Sequence, residues 1–211
     1  MKRFLLICVL LATALSVDAQ LKFGVKGGLN VSKIRVSEGE VPDSKAGFHA
    51  GVMLDIALTK RIYFNPQLLY TQRGFSLEGL EIEGLSGSKG VEAKVTLNYL
   101  QLPLDLNYRL GITDIITVDG IVGPYLAMGL SSKTTAEFDG HEITSSENYF
   151  SADDGYKRFD CGLRLGVGAH LGSHITASVV YDLGMTNLLK ETYDDEKAKN
   201  GIFQVSVGWL F

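Results

Sequence analysis

The chain has 211 residues, of which 45% are hydrophobic, so it is long enough for one domain with a sizeable buried surface. The formal net charge of −4 shows no basic footprint of the kind that nucleic-acid-binding proteins carry. Glycine is abundant at 24 residues and proline scarce at 4, a balance that suits many strands with crowded positions.

The N-terminus predicts a secretory signal peptide over residues 1–19, which leaves 20–211 as one domain. Lys2 and Arg3 form a charged start, an apolar run follows, and Val-Asp-Ala supplies small residues for cleavage before position 20. The apolar run is about a dozen residues long, well short of the ~20 that a membrane-spanning helix needs. Export is therefore expected, with removal of this segment.

The cysteines exclude a disulfide scaffold. Cys8 lies inside the predicted signal peptide, so Cys161 is the only cysteine expected in the mature chain. A single cysteine cannot form an internal disulfide. Another kind of interaction must stabilise the exported protein.

The mature chain shows period-two alternation in place of helical periodicity. Successive side chains of a strand point to opposite faces, so an alternating segment has one apolar and one polar face. In the first segment Leu21, Phe23 and Val25 are apolar, whereas Lys22 and Lys26 are polar. The predicted strands cover residues 21–33, 48–58, 64–73, 100–109, 116–128, 158–171, 175–183 and 203–211.

Short and long links between these strands alternate strictly. The short links are 59–61, 110–114 and 172–173. The long links are 36–45, 74–92, 131–156 and 188–200. Membrane barrels of the up-and-down type have short periplasmic turns and long outer loops. The pattern predicts an all-β fold, an eight-stranded antiparallel up-and-down transmembrane β-barrel.

A soluble lipocalin-like barrel also alternates, with its apolar face inside. Three features favour a membrane barrel with lipid on the apolar face. Charged residues and glycines share the polar face, as in RFDCGLRLGVGAH. Aromatic residues gather near strand ends, where membrane barrels place interfacial girdles. The apolar face of the long strands carries no charge. The expected location is the outer membrane of a Gram-negative bacterium.

The opening segment FGVKGGLNVSKI resembles the first strand of the PorT-like outer-membrane barrels, small porin-family barrels that are OmpA/OmpX-like in architecture and common in Bacteroidetes-type bacteria. Later strands of that family are similar to FNPQLLYTQRGF, YLQLPLDLNYRL, VGPYLAMGL, FDCGLRLGVGAHL, YDLGMTNL and GWLF. The resemblance spans essentially the whole mature chain and implies a link to secretion or envelope machinery. It also implies that the barrel-assembly machinery reads the final strand through Phe211.

The polar face predicts a charged interior. Eight strands leave a lumen just wide enough for side chains to fill it. Buried charges must be paired, so a neutralising network is expected, and an ion or proton path is the alternative. The expected inward charges are Lys22, Lys26, Arg73, Arg109, Arg158 and Arg164 against Asp55, Asp105, Asp119, Asp160 and Asp182.

No catalytic, cofactor-binding or metal-binding residue is predicted. His49, His141, His170 and His174 are the histidines, and His141 lies in a loop near Glu142, Ser145, Ser146 and Glu147 without forming a recognisable motif. The acidic outer loops lack calcium-loop spacing, although divalent-cation bridging to lipopolysaccharide is an alternative reading. Solvated loop faces are the usual explanation for such charge.

The expected function is that of a non-enzymatic structural or surface-interaction scaffold with its specificity in the outer loops. A rigid barrel is a stable base for such loops. The expected partners are the lipid bilayer, lipopolysaccharide, the assembly machinery and an unknown protein at the loops. The third long loop, with Phe138, Tyr149, Phe150 and Tyr156, is the candidate contact surface. A small-solute or ion pore is the first alternative, and an outer-membrane lipid-modifying enzyme is the second.

Overall fold

The computed structural model describes residues 21–36, 43–80, 91–138, 141–145, 150, 157–187 and 198–211. The predicted signal peptide lies outside these residues and stays a prediction. Across the described residues, no helix is long and apolar enough to cross a membrane. The strands are β1 (Leu21–Val36), β2 (Asp43–Ala57), β3 (Ile62–Leu80), β4 (Val91–Gly111), β5 (Ile116–Phe138), β6 (His141–Ser145), β7 (Phe159–Leu171), β8 (Ile175–Gly184) and β9 (Ala198–Leu210).

The sheet closes on itself. Its hydrogen-bonded order is β4-β3-β2-β1-β9-β8-β7-β5, and a further pairing of β4 with β5 completes the ring. The first and last strands meet antiparallel, with Val25 opposite Trp209 and Val31 opposite Phe203. Because β6 pairs only with β5 among the described strands, the closed part is an eight-stranded antiparallel barrel, and the predicted fold class is confirmed. Closure removes the free edges of these eight strands, which would otherwise invite pairing with other chains.

The two faces of the wall are as predicted. Apolar side chains on the outer face are exposed, including Val52 at 40%, Leu165 at 52% and Val207 at 65%. The side chains between them on the same strands are polar and buried, such as Asp55 at 3% and Arg164 at 0%. An exposed apolar band around a polar interior is the reverse of a soluble barrel, and it suits a wall immersed in lipid.

The periplasmic end consists of tight turns. Thr59 Oγ1 accepts from the backbone amide of Ile62 at 2.9 Å, and Gly172 adopts a φ of 63° in the turn between β7 and β8. Aromatic pairs lie near this end as well, where Phe23 stacks on Phe211 with ring centroids 5.9 Å apart. Their position agrees with an interfacial girdle at the inner boundary of the apolar band.

The outer end differs from the predicted boundaries. The predicted loops 74–92 and 131–156 contain strand, because β3 continues to Leu80, β4 begins at Val91, and β5 continues to Phe138 before β6. The predicted loops 36–45 and 188–200 also lose residues to the starts of β2 and β9. Hairpin pairing persists above the membrane because backbone hydrogen bonds need no lipid on either face.

The apolar phase inverts along these long strands. In β4, Leu100 and Leu102 face outward and are 37% exposed, whereas Leu97 and Val95 face inward and are buried. Outward positions above Leu100 carry Asn98, Thr96 and Lys94 in place of leucine. A wall that leaves the membrane meets water outside, so its apolar residues turn to the interior. The inversion marks the outer boundary of the apolar band.

Candidate functional site

The middle of the barrel contains a buried ion-pair network that we call the central cluster, formed by Arg164, Asp182, Asp105, Gln101 and Gln204. Arg164 donates from Nε and Nη2 to the two carboxylate oxygens of Asp182, at 2.6 and 2.9 Å. Its Nη2 also donates to Gln204 Oε1 at 2.9 Å, and its Nη1 lies 3.6 Å from Asp105 Oδ2. Gln101 donates to Asp182 Oδ2 at 2.7 Å. This bidentate pairing compensates a guanidinium that is removed from water.

Lys26 connects to the central cluster through one amide side chain. Its Nζ donates to Gln67 Oε1 at 3.3 Å. Gln67 Nε2 in turn donates to Asp105 Oδ2 at 2.8 Å and to Asn65 Oδ1 at 2.7 Å. Together with the central cluster, these side chains come from six strands of the ring, β1, β3, β4, β7, β8 and β9, so the network ties opposite parts of the wall together.

A second group, the outer cluster, lies nearer the cell exterior and contains Arg73, Asp160, Tyr125, Asn200 and Tyr99. Arg73 Nη1 donates to Asp160 Oδ2 at 2.7 Å, and both side chains are essentially inaccessible to solvent. Tyr125 and Asn200 donate to the same oxygen at 3.2 and 3.0 Å. The guanidinium carbon also lies 4.6 Å from the ring centroid of Tyr99, within cation–π range.

The third group, the periplasmic cluster, lies at the opposite end and contains Arg109, Asp55, Asp119, His170 and Tyr63. Arg109 donates to both oxygens of Asp55 at 3.1 and 3.2 Å and to both oxygens of Asp119 at 2.9 and 3.1 Å. Its guanidinium lies 3.7 Å above the ring of Tyr63. His170 Nε2 is 2.7 Å from Asp119 Oδ2. Arginine suits this position because its planar fork can serve two carboxylates and stack on an aromatic face.

An apolar layer, the aromatic cap, covers the outer cluster. Phe150 is 2% exposed and meets Tyr99 edge-on, with ring centroids 5.4 Å apart. Gly129 makes room for it, since a Cβ there would lie 2.5 Å from the phenyl ring. The Nε of Arg158 donates to the carbonyl of Phe150 at 3.3 Å. The cap consists of Phe75, Val95, Leu97, Tyr99, Tyr125, Ala127 and Phe150, and its two tyrosines also contact the outer cluster beneath it.

Two cavities lie below this cap. A small one of about 30 Å³ is bordered by Lys26, Asn107 and His170, large enough for one or two water molecules. A wider one of about 390 Å³ opens at the periplasmic end beside Lys22 and Arg109. Water can therefore enter the lumen from the periplasm, but the central cluster, the outer cluster and the cap lie between these cavities and the exterior.

Most predicted inward charges lie where the sequence placed them, and two lie at the ends of strands instead. Arg158 is exposed just before β7 and binds the loop backbone, so its predicted interior position is wrong. Lys22 lies at the periplasmic mouth, where its Nζ donates to the carbonyl of Ser173 at 3.1 Å. Both residues lie at a strand end, where a long side chain can extend its charged group to solvent.

One residue of the contact surface predicted on the third long loop lies elsewhere in the structure. Phe150 is part of the cap, so it packs inside the mouth and is not an exposed contact residue. Tyr149, Tyr156 and the side chain of Phe138 lie outside the described residues. The apolar cap itself was not predicted from the sequence, although the inverted phase of Val95 and Leu97 in β4 is a readable signal for it.

The histidines form no catalytic arrangement among the described residues. His49 Nε2 lies 2.8 Å from Ser206 Oγ, but the pair is buried in the wall and His49 Nδ1 has no described hydrogen-bond partner. His174 stacks on Trp209 in the periplasmic turn region. His141 begins β6, and only part of its predicted surroundings is described. Within the described ranges, no three His, Cys, Asp or Glu residues are grouped to hold a metal ion.

A protein-family model described as outer membrane protein beta-barrel domain matches residues 16–190. The chain belongs to this family. Its location is therefore the outer membrane of a Gram-negative bacterium, as predicted. None of the curated proteins matches the sequence.

Solved structures of similar fold have low sequence identity. Ail, the attachment invasion locus protein of Yersinia pestis, is 14% identical with a TM-score of 0.44, over 90% of this chain and 98% of that one. The outer membrane protein OprG from Pseudomonas aeruginosa is 14% identical with a TM-score of 0.47, over 90% and 95%. The outer membrane protease OmpT from Escherichia coli is 9% identical with a TM-score of 0.40, over 93% and 98%. A shared barrel does not specify function.

Proposed function

We propose that this protein is a non-conducting, non-enzymatic scaffold of the outer membrane whose interaction surface lies on its outer extension. The observation that supports this most directly is the filled lumen. The central cluster, the outer cluster and the aromatic cap occupy successive levels between the periplasmic cavities and the cell exterior. A solute would have to break at least two buried ion pairs to pass, and each break costs about 3–5 kcal/mol.

The non-enzymatic part rests on the placement of nucleophiles and bases. Catalysis needs a base within hydrogen-bond reach of a substrate, with a third group that orients it. The His49–Ser206 pair is buried at 1% and 2% exposure and faces no described cavity. The exposed Ser173–His174 contact joins neighbours in a turn, and the imidazole is stacked on Trp209. Neither pair offers a substrate both access and an oriented base.

The outer extension supplies the proposed interaction surface. β3, β4, β5 and β6 continue above the apolar band as one antiparallel sheet, and β6 pairs along one side only among the described strands. Ile143 in β6 is 68% exposed. An edge strand presents unpaired backbone groups that can add a strand from a partner. This edge, together with the long loops, is where we place partner recognition.

Planar-bilayer recording tests the non-conducting proposal. The refolded barrel should show no stable, porin-sized channel, because the paired charges and the cap close the lumen. A refolded sample and a boiled sample of the same preparation form the matched comparison. Reproducible conductance in the refolded sample alone would overturn the filled-lumen argument and favour a small-solute or ion pore.

Cross-linking on whole cells tests the interaction surface. Ile143→Lys should abolish a cross-linked partner, because a charge on the β6 edge opposes strand addition. Ile112→Lys is the matched control, since Ile112 is 61% exposed in a periplasmic turn. Both variants should keep heat-modifiable migration on gels. Equal partner recovery from the two variants would contradict the β6 surface.

The finer assignment to the PorT-like group is also a proposal. It rests on the ordered resemblance of the segments from FGVKGGLNVSKI to GWLF. A link to secretion or envelope machinery follows from that resemblance. Identification by mass spectrometry of the partner lost in Ile143→Lys would test it. A partner from outside the envelope and secretion systems would contradict the link.

A further inference from the structure

The cavity of about 390 Å³ at the periplasmic end borders a group of side chains whose charges do not balance. In the periplasmic cluster one guanidinium, that of Arg109, binds two buried carboxylates, those of Asp55 and Asp119. Lys22 lies opposite Asp55 in the β1–β2 register, but its Nζ donates to the carbonyl of Ser173 at 3.1 Å instead. Within the described part of the chain, Lys22 forms no ion pair. The cluster therefore keeps an excess of one negative charge beside a space that water can enter.

Asp114 adds a carboxylate to the wall of this cavity. It is exposed in the turn between β4 and β5, and among the described residues it has no ion-pair partner. The charged groups at the cavity are then two cations and three carboxylates: Lys22 and Arg109 against Asp55, Asp114 and Asp119. The excess of one negative charge favours a cationic ligand.

The hydrogen-bond geometry indicates where the proton of His170 lies. Its Nε2 is 2.7 Å from Asp119 Oδ2 and 2.8 Å from Arg109 Nη2. The same Nη2 lies 3.2 Å from Asp55 Oδ1 and 3.1 Å from Asp119 Oδ2, and it has only two N–H groups to donate. The carboxylates use both, so Nε2 itself carries a proton and donates it to Asp119. In the neutral ring Nδ1 is then a hydrogen-bond acceptor.

This acceptor is open to the periplasmic side. The ring of His170 lines both cavities, and its Nδ1 has no hydrogen-bond partner among the residues that the structure describes. Unlike Nδ1 of His49, it is not enclosed by protein. Leu210 and the ring of Tyr63 supply apolar surface on the same walls. The cavity therefore combines a free acceptor, a carboxylate and an apolar wall.

A metal ion does not suit these acceptors. Arg109 donates to both oxygens of Asp55 and to both oxygens of Asp119, so these carboxylates are committed to the guanidinium. Hard cations need several oxygen ligands at once. The remaining acceptors, the Asp114 carboxylate and His170 Nδ1, suit a ligand with both a positive charge and N–H groups.

We propose that the periplasmic cavity is a binding site for a small alkylammonium compound. Its N–H groups donate to His170 Nδ1 and to the Asp114 carboxylate, and its alkyl part contacts Leu210 and Tyr63. The cavity volume lies within the usual range of small-molecule sites, about 300–1,000 Å³. The site is independent of the scaffold function, which lies at the opposite end of the barrel. Because the central cluster closes the lumen above it, the compound is bound and not conducted.

Isothermal titration calorimetry of the full barrel in non-ionic detergent tests the site, with n-butylammonium as the probe. At about pH 8, where an imidazole is ordinarily neutral, butylammonium should bind about tenfold more tightly than tetramethylammonium, which has the same charge and no N–H group. Butyrate, with the opposite charge, should not bind measurably. Equal binding of tetramethylammonium would overturn the proposal, since it indicates general charge attraction. Tighter binding of butyrate, or no binding of butylammonium, would overturn it as well.

Two single substitutions should change the affinity in opposite directions. Asp114→Asn removes a cavity carboxylate and should weaken butylammonium binding about tenfold, whereas Lys22→Gln removes a positive charge and should strengthen it about threefold. Asp43→Asn is the matched control, because it removes the same charge from an exposed position at the outer end, and it should leave binding unchanged. Heat-modifiable migration verifies folding. Unchanged binding in folded Asp114→Asn would contradict the proposal.

Nitrogen NMR of a barrel labelled with ¹⁵N-histidine follows the acceptor itself. Butylammonium should shift the Nδ1 resonance of His170, which is identified by its absence in His170→Gln. The resonances of His49 and His174 should stay in place. Binding without a shift at His170, or with a shift at His174 alone, would place the ligand outside the cavity and overturn the site.

Discussion

The central cluster allows one sharp test, the substitution Asp182→Asn. Asp182 accepts two hydrogen bonds from Arg164, at 2.6 and 2.9 Å, and one from Gln101 at 2.7 Å. Asparagine keeps the volume but removes the negative charge, so the fully buried Arg164 loses its bidentate partner. Removing one member of a buried pair costs about 3–5 kcal/mol of unfolding free energy. Asp105 remains 3.6 Å from Arg164, so we expect the lower end, about 3 kcal/mol.

A second variant separates loss of charge balance from loss of packing. Arg164→Met combined with Asp182→Leu removes both charges and fills similar volume. Buried ion pairs are often replaced by apolar residues at little cost, so the double variant should recover about half or more of the loss. Recovery would show that the single substitution acts through an uncompensated charge.

Urea unfolding of the barrel in lipid vesicles measures these differences, with gel migration before and after boiling as the check on folding. Asp114→Asn in a periplasmic turn is the control and should stay within about 0.5 kcal/mol of the wild type. Equal unfolding midpoints for Asp182→Asn and Asp114→Asn would refute the argument. So would a double variant that is less stable than Asp182→Asn, because the charge would then not be the cause.

The lipid-facing and lumen-facing sides of the wall and the aromatic cap can be tested in three further ways. Val52→Arg should lower the unfolding free energy in vesicles by about 2–4 kcal/mol, because Val52 faces lipid. Thr117→Arg should cost less, because Thr117 lies beside the periplasmic cavity. Equal losses in the two variants would contradict the assigned faces. Phe150→Ala should cost about 3 kcal/mol by the same measurement, yet planar bilayers should still show no conductance because the ion-pair clusters remain. Cys161 is exposed on the lipid face, so an apolar maleimide should label it faster in membranes than a charged one, and the reverse order would place it in water.

The alternation of apolar and polar residues could be recognised in the sequence because it depends only on neighbouring positions in one strand. The pleat alternates the side chains of any strand, so Leu100 and Gln101 must face opposite sides whatever the rest of the chain does. The alternation of short and long links then determined which end is periplasmic, and the closed barrel of the structure confirms the predicted fold. The chain belongs to an outer-membrane beta-barrel family, which agrees with the coarser part of the resemblance, a small outer-membrane barrel.

The outer boundaries were harder to read for a physical reason. The strand boundaries were predicted from the outward apolar face. In β4 that face ends at Leu100, although the strand itself begins at Val91. Val95 and Leu97 are apolar but face inward, so the alternation is reversed beyond Leu100. A search for outward apolar residues therefore ends there, as if the strand ended. Likewise, the aromatic content of the third loop suggested a contact surface, but Phe150 packs over Gly129, a contact between residues 21 positions apart.

The sequence by itself determined the faces, the order of the strands and, apart from Arg158 and Lys22 at strand ends, the set of charges in the lumen. It could not determine their partners. Arg73 meets Asp160, 87 residues away, because ring closure and strand stagger bring β3 and β7 to the same level across the lumen. Pairing across a barrel depends on the register of every strand between the two residues. The alternation within one strand contains no information about the registers of the other strands.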